Sequence, residues 1–173
     1  MHLAKLIEEF VAEQDWGNDE VERDVEAGTS RFRTNLSINN QSFRLFIESN
    51  EERELLFLYL YPPFSVIEGK SVDACLLFNY LNDQYSYRGR LVISDSGSIC
   101  YKDIIDVEKI EHHTAMIDNM LCSGFHLFEN HIEAIAAVAL TKKTYESIRA
   151  EYDKEDATKE AMKRRKETEG SDD

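Results

Sequence analysis

The sequence predicts an α+β domain in which helices pack on an antiparallel sheet of about five strands, in the chain order α-β-β-β-α-β-β-α. Three segments carry apolar residues at helical spacing: one at the start of the chain, one in the middle and one after it. Between them, apolar and polar residues alternate with the two-residue period of strands. The strands fall into two groups separated by one helix, which is typical of an antiparallel sheet with helices on one face.

The first helix is predicted over residues 2–14, and the polar turn that contains Gly17 and Asn18 is expected to end it. Its apolar residues recur at i, i+3, i+4, i+7 and i+8 and form one stripe: Leu3, Leu6, Ile7, Phe10 and Val11. Residues 21–27 fit either a short edge strand or an extended connection, and their pattern does not choose between the two.

Three strands follow, and the third differs from the first two. Residues 30–38 and 41–49 each alternate apolar and polar side chains, and the two asparagines between them tolerate the positive φ of a tight hairpin turn. Residues 54–61 are apolar on both faces, with leucines on one face and mainly aromatic residues on the other. Such a strand is either covered on both sides or faces a partner.

A second helix is predicted over residues 71–85, and a hairpin of two strands follows over residues 88–94 and 98–102. The apolar positions of this helix recur at helical spacing: Val72, Leu76, Leu77, Tyr80 and Leu81. Helical spacing returns from about residue 107 to residue 139, and residues 122–124 contain a serine and a glycine that favour a break or bend.

These elements predict one domain over residues 1–150. The length of 173 residues and the hydrophobic content of 42% fit a single domain with one core. Residues 151–173 hold helix formers and charges but little to bury, so we expect a frayed helix or a disordered tail there.

Composition narrows the range of partners and locations. The chain has 34 acidic and 20 basic side chains and a net charge of −14, which argues against binding to nucleic acid or to an anionic membrane. The charge fits a surface for basic partners, or simply a domain that resists aggregation. The three cysteines are odd in number and do not cluster, which predicts free thiols and a cytoplasmic location.

No catalytic, metal or cofactor site is predicted. His112, His113, His126 and His131 have acidic neighbours, but their spacing matches neither H-x-x-x-H nor H-E-x-x-H. The chain has no glycine-rich phosphate loop, and nothing in the sequence supplies its cysteines with a base. We therefore expect a protein that is not an enzyme and needs no cofactor.

A set of motifs between the second helix and the second hairpin resembles the YbjN-like family. The motif residues are Asn79 and Asn82 in the run NYLN, Gly89 in YRGRL, and Asp95 and Gly97 in DSGSICY. The likeness covers roughly residues 1–140, so that the charged tail lies outside it. By their amide chemistry, Asn79 and Asn82 are expected to end the helix.

This resemblance implies a fold similar to that of type III secretion chaperones, which are small, acidic, cytosolic α/β sandwiches that often dimerise. It also implies a role among bacterial sensory-transduction regulators. The family supplies no established catalytic residue, so none is implied for this chain.

The aromatic side of the sheet is the predicted partner-binding surface. If helices cover the face that carries Leu56, Leu58 and Leu60, the opposite face carries an apolar group that monomers rarely expose. Its members are Phe46, Phe57, Tyr59, Tyr61 and Val92, with Cys100 at the margin. Either the long C-terminal helix covers this group, or a second protein does.

We therefore predict a non-catalytic protein that uses this face to bind a partner polypeptide or a second copy of itself. An apolar segment laid across the sheet and a strand added at its edge are both suitable mechanisms. Two alternatives remain open. One is a dedicated chaperone for a type III secretion effector. The other is a small-molecule-sensing regulator, which needs an enclosed pocket near Tyr80, Tyr85 or Cys75.

Overall fold

The computed structural model describes residues 1–16 and 20–169, apart from the side chains of residues 159, 160 and 163–169. Gly17 and Asn18, which were expected to end the first helix, lie outside the described residues. The described helices are α1 (His2–Glu13), α2 (Ser71–Gln84), α3 (Ala115–Leu140) and α4 (Tyr145–Glu169). The described strands are β1 (Glu22–Asp24), β2 (Thr29–Ile38), β3 (Gln41–Asn50), β4 (Leu55–Tyr61), β5 (Arg90–Ile93) and β6 (Ile99–Asp106).

The six strands form one antiparallel sheet in the order β1-β2-β3-β4-β6-β5. This confirms the predicted α+β class, although the sheet has six strands where about five were expected. The additional strand is β1, whose three residues lie in the segment that fitted either an edge strand or a connection. It pairs with only Thr29–Arg31 of β2. An element this short has too few residues to show a period in the sequence.

The face of the sheet that packs against helices α1 and α3, here called the inner face, forms the core. Leu56, Leu58 and Leu60 of β4 are fully buried on it. The ring of Phe43 in β3 lies 4.8 Å from that of Phe128 in α3, measured between centroids. Because side chains alternate along a strand, every second residue of β2, β3 and β4 belongs to this core and the others lie on the opposite face.

The hairpin between β2 and β3 has the tight turn that its sequence predicts. Asn39 and Asn40 have φ values of 48° and 61°, which suits the two positive-φ positions of a type I′ turn. The side-chain amide of Asn39 also donates a hydrogen bond to the Glu129 carbonyl oxygen at 3.1 Å. The turn is therefore fixed both by its own conformation and by its contact with α3.

Tyr101 of β6 joins the sheet, helix α3 and the loop before β5. Its side chain is fully buried, and its hydroxyl accepts a hydrogen bond from the Gly89 N–H at 2.9 Å. A Cβ on Gly124 would lie 2.6 Å from Cδ1 of the Tyr101 ring. Helix α3 approaches β6 closely because residue 124 has no side chain.

A break or bend was expected at residues 122–124. The break is wrong, because α3 is continuous across these residues. Serine and glycine weaken a helix by their intrinsic propensity, by up to about 1 kcal/mol for glycine. Here the packing of Gly124 against Tyr101 overrides that local preference. Ser123 also has a tertiary role, since its Oγ accepts a hydrogen bond from the Arg88 N–H at 2.9 Å.

Helix α2 buries three of the five apolar positions that its spacing predicted. Val72 and Leu76 are 73% and 43% exposed. Leu77, Tyr80 and Leu81 are buried, and Ala74 and Phe78 are buried beside them. The helix packs against β5, α3 and α4 together, so its buried side is broader than a single apolar stripe.

Helix α4 is attached to the domain through its first turns. The Tyr145 N–H donates a hydrogen bond to Oδ1 of Asp73 at 2.8 Å. Ile148 is 1% exposed, and Tyr152 packs against the core. The domain boundary at residue 150 stays a prediction, and residues 170–173 of the predicted tail lie outside the described residues.

The contact between α3 and β6 predicts the effect of adding one methyl group. In Gly124→Ala, the new Cβ meets a fully buried ring, and overpacking of a core costs about 1–3 kcal/mol. This outweighs the gain of about 1 kcal/mol that alanine gives inside a helix. We expect the free energy of unfolding, measured by urea denaturation, to fall by about 1 kcal/mol.

Cys122→Ala is the control for this substitution, because Cys122 lies two residues away on the same helix with an exposed side chain. Its free energy of unfolding should stay the same or rise slightly, since alanine is the better helix former. An increase in stability in Gly124→Ala would contradict the close packing against Tyr101.

Candidate functional site: an aromatic sheet face with a charge gradient

The face of the sheet opposite the helices, here called the outer face, carries the predicted partner-binding residues. Strand register places Phe46 opposite Tyr59, and places Phe57 and Tyr61 on the same strand face as Tyr59. Val92 lies on this face of β5, opposite Cys100. Within the part of the chain that the structure describes, none of the five predicted residues belongs to the buried hydrophobic cluster or packs against it.

The four aromatic side chains form two ring pairs. The rings of Phe46 and Tyr61 meet edge to face with centroids 5.7 Å apart, and those of Phe57 and Tyr59 stack with centroids 6.3 Å apart. All four are half-buried, and Val92 is 40% exposed. The long helix α3 packs on the inner face of the sheet, so it does not cover these residues.

Two neighbouring rows of residues across the outer face, here called the cationic rows, contain four basic side chains and no acidic one. The first row reads Arg33, Phe46, Tyr59, Lys102 and Arg90 in register. The second row reads Asn35, Arg44 and Tyr61, beside the pair of Cys100 and Val92. The aromatic residues of this face were predicted from the sequence, but this group of cations was not.

The basic side chains of the cationic rows are arranged around the aromatic rings. Lys102 Nζ lies 5.6 Å from the centroid of the Tyr59 ring, and Arg44 Cζ lies 5.6 Å from that of Tyr61. Arg90 donates hydrogen bonds to two backbone carbonyl oxygens of the preceding loop. Among the described residues, none of the four cations forms an ion pair with a carboxylate.

The next two rows, here called the acidic rows, have the opposite charge. One reads Glu22, Arg31, Glu48, Phe57 and Ile104, and the other reads Asp24, Thr29, Asn50, Leu55 and Asp106. The only cation in them, Arg31, is paired with Glu48 at 2.7 Å. A concavity of about 520 Å³ lies at this end, beside Phe57 and against β1. The formal charges of the four successive rows are therefore −2, −1, +3 and +1.

The hydroxyl and thiol groups of the cationic rows remain protonated at neutral pH. Partial burial raises the pKa of Tyr59, and burial together with the neighbouring Cys100 raises the pKa of Tyr61 to about 12. Burial also raises the pKa of the Cys100 thiol to about 11. Nucleophilic thiols have a lowered pKa, so this environment makes the Cys100 thiol less reactive.

Asn82, one of the motif residues, bonds strand β5 rather than the end of its own helix. Its Oδ1 accepts a hydrogen bond from the Leu91 N–H at 2.9 Å, and its Nδ2 donates one to the Leu91 carbonyl oxygen at 3.0 Å. Helix α2 continues past it to Gln84. The expectation that Asn82 ends the helix is wrong, because the amide pairs with an exposed strand edge as another strand would.

The other motif residues lie at separate positions. Gly89 packs under the Tyr101 hydroxyl, and Gly97 has a φ of +79° and lies against the Val66 backbone. Asp95 is exposed in the turn between β5 and β6, and Asn79 is exposed on α2. None of these residues lies on the outer face, so the motif and the candidate partner surface are different regions of the molecule.

An aromatic cluster fills the region in which small-molecule sensing would require an enclosed pocket. Tyr80 and Tyr85 pack against Tyr152 and His131, with ring centroids 4.5 Å apart for Tyr85 and His131. The buried His131 pairs through Nδ1 with the Tyr152 hydroxyl at 2.8 Å and through Nε2 with the Tyr87 hydroxyl at 3.3 Å. The cluster joins α2, α3 and α4.

The described residues contain neither a cluster of metal ligands nor a membrane-spanning helix. In the described residues, no three metal-ligating side chains of His, Cys, Asp or Glu gather at one point. Among the described helices, none combines the length and the apolar composition that crossing a membrane requires.

Two solved structures are similar to this chain. One is a chain of the HopA1–SchA chaperone–effector complex, with a TM-score of 0.47, 21% identity and coverage of 77% of this chain and 92% of the other. The second belongs to the Yersinia pestis type III secretion chaperone SycH in complex with a fragment of YscM2, with a TM-score of 0.44, 16% identity and coverage of 78% and 98%. No protein-family model and no curated protein matches the sequence. The YbjN-like resemblance therefore stays a prediction.

The contact between Asn82 and Leu91 predicts a loss of stability in Asn82→Ala. Removing the amide leaves a backbone donor and a backbone acceptor of β5 unpaired in a partly buried position. Such a loss costs about 1–3 kcal/mol, and it should appear as a lower midpoint in urea denaturation. Asn79→Ala is the matched control, since Asn79 lies one turn earlier on the exposed side of α2. Equal losses in the two variants would contradict the pairing with β5.

The raised pKa of Cys100 predicts slow alkylation. With a pKa of about 11, roughly one thiol in a thousand is ionised at pH 8, and the side chain is only 6% exposed. We expect iodoacetamide to modify the exposed Cys75 at least about a hundredfold faster, as measured by peptide mass spectrometry. The Cys100 rate should rise about tenfold per pH unit until the pH approaches 11. Equal rates at pH 8 would mean that the outer face opens around Tyr61.

Proposed function

We propose that this chain is a non-catalytic protein that binds a partner polypeptide through the outer face of its sheet. One observation carries the proposal: four aromatic side chains lie as two ring pairs, with Phe46 opposite Tyr59 in register, on a sheet face that lies outside the core of the described chain. Aromatic residues are enriched in protein interfaces because they offer a large, rigid contact area. A contiguous exposed apolar patch is typical of an interaction site.

The binding mode follows from the edges of the sheet. At the β5 edge, Asn82 already takes both hydrogen-bonding groups of Leu91. At the other edge, β1 pairs with only three of the ten residues of β2. A segment laid across the outer face, with or without strand pairing to β2, is the mode that this arrangement supports best.

The proposed function has a narrower form, which is a dedicated chaperone for one type III secretion effector. In this form, the same surface binds a single client protein. The secretion-chaperone-like fold and the YbjN-like regulatory role that the motifs imply are both consistent with it. A client that protects the chain from unfolding would support it. We propose a cytoplasmic location, which suits the three free cysteines.

Small-molecule sensing is a weaker candidate. It requires an enclosed pocket near Tyr80 and Tyr85. Those two side chains pack against each other and against Tyr152, with centroids 6.5 Å apart for the first pair and 5.6 Å apart for Tyr80 and Tyr152. We therefore prefer polypeptide binding.

Peptide selection tests the proposed function. Peptides selected from a random library on the immobilised wild-type chain should bind Phe57→Ser/Tyr59→Ser at least about tenfold more weakly, because the substitutions remove two aromatic contacts without changing the charge. Fluorescence anisotropy gives the affinities. Light scattering of the same variants shows whether a second copy is the occupant, since a homodimer formed through this face would dissociate.

Val72→Ser/Leu76→Ser is the matched control, because these two residues are exposed apolar side chains on α2, away from the outer face. It should retain the affinity of the wild type. Peptides that bind both double variants equally would disprove the outer face as the binding surface. An unfolded Phe57→Ser/Tyr59→Ser variant would show that the face belongs to the core, and this too would disprove the proposal.

A further inference from the structure

The outer face has a local charge opposite to that of the chain. The whole chain has a net charge of −14. The cationic rows alone carry +4, so the remaining residues carry −18. Four basic side chains in two adjacent rows, with no acidic residue among them, form an isolated cationic region on an acidic protein.

These cations are available to an incoming group. Arg33, Arg44, Arg90 and Lys102 are all exposed, and none has a carboxylate partner among the described residues. The contrast is with Arg31 in the adjacent row, which is already paired with Glu48. Lys102 and Arg44 lie near the rings of Tyr59 and Tyr61, which orients them without neutralising them.

From this arrangement we infer that the segment that occupies the outer face is acidic, with carboxylates over the cationic rows and apolar side chains over Phe46, Tyr59 and Tyr61. The inference rests on the proposed function, because it names the chemical class of the polypeptide that the same face binds. It is the opposite of the basic partners that were one of the two interpretations of the net charge. Opposite charges around an aromatic centre favour encounter and fix the orientation of a bound segment.

The geometry of the rows suits an extended segment. Rows two residues apart along a strand are about 6.6 Å apart, and an extended chain presents every second side chain at the same spacing. The hydroxyls of Tyr59 and Tyr61 stay protonated, so they can donate hydrogen bonds to carboxylates. Beyond the cationic rows, the charge changes sign at Glu48, which limits the acidic part of the segment to the Tyr61 end of the face.

The same charges disfavour two other occupants. A symmetric dimer formed through this face would bring the cationic rows of both copies together, and like charges in an interface cost affinity. A nucleic acid needs a longer basic track, because most of its affinity comes from neutralising successive phosphates. Here the basic region ends after two rows and acidic residues follow.

Charge reversal tests this inference directly. Fluorescence anisotropy would measure labelled oligothymidylate and labelled peptides built from the repeat Leu-Leu-Glu-Glu or Leu-Leu-Lys-Lys, which in an extended chain turns alternating apolar and charged side chains to the sheet. We expect the glutamate–leucine peptide to bind the wild type most tightly and to weaken as salt is added. Arg33→Glu/Arg44→Glu should weaken it at least about tenfold, because each reversal replaces an attraction by a repulsion.

The control variant has the same change in net charge. Lys142→Glu/Lys154→Glu reverses two exposed cations on the helical side of the molecule and should keep the wild-type affinity. Tighter binding of the lysine–leucine peptide or of oligothymidylate, an equal loss in both charge variants, or no binding of the glutamate–leucine peptide would overturn the inference. So would a wild-type dimer that dissociates in Arg33→Glu/Arg44→Glu or in Phe57→Ser/Tyr59→Ser.

The failure of this inference can be distinguished from the failure of the proposed function. If both peptides bind equally and Phe57→Ser/Tyr59→Ser weakens both, the outer face binds polypeptides without selecting acidic ones. If selected peptides ignore the outer face altogether, the proposed function fails as well.

Discussion

Tyr101 fixes the geometry on which both faces of the sheet depend. Its buried ring needs a glycine on each side, at Gly89 in the loop before β5 and at Gly124 in α3. Because Tyr101 points into the core, its neighbours Cys100 and Lys102 must point outward. The same contact that holds α3 against the inner face therefore sets which side chains of β6 reach the outer face.

One-sided coverage by the helices accounts for the composition of β4. Its buried leucines Leu56, Leu58 and Leu60 lie on the inner face with the helices, and its aromatic residues lie on the opposite face with cations nearby. The charged ends of Lys102 and Arg44 lie over the rings of Tyr59 and Tyr61, each 5.6 Å from the ring centroid. This is how a half-buried aromatic group can persist on the surface of a highly charged protein.

The fold class and the aromatic residues of the outer face could be predicted from the sequence, because both follow from the two-residue period of long strands. The same alternation places Arg33 and Arg44 on the outward side. The cationic rows could not be predicted, since they require the pairing of β4 with β6, which brings Lys102 and Arg90 into line with Tyr59. The contact of Asn82 could not be predicted either, because it is made with Leu91, nine residues away in strand β5. The local chemistry of an amide indicates only the commonest use of asparagine, which is to end a helix.

The pairing of Asn82 with Leu91 also affects how the sheet could grow. A sheet with two open edges can join others at both ends and extend without limit, as in fibrils. Here a side chain occupies the central backbone groups of the edge strand β5, while β2 has free length at the opposite edge. The sheet can therefore grow more readily in one direction, from β2, than in the other.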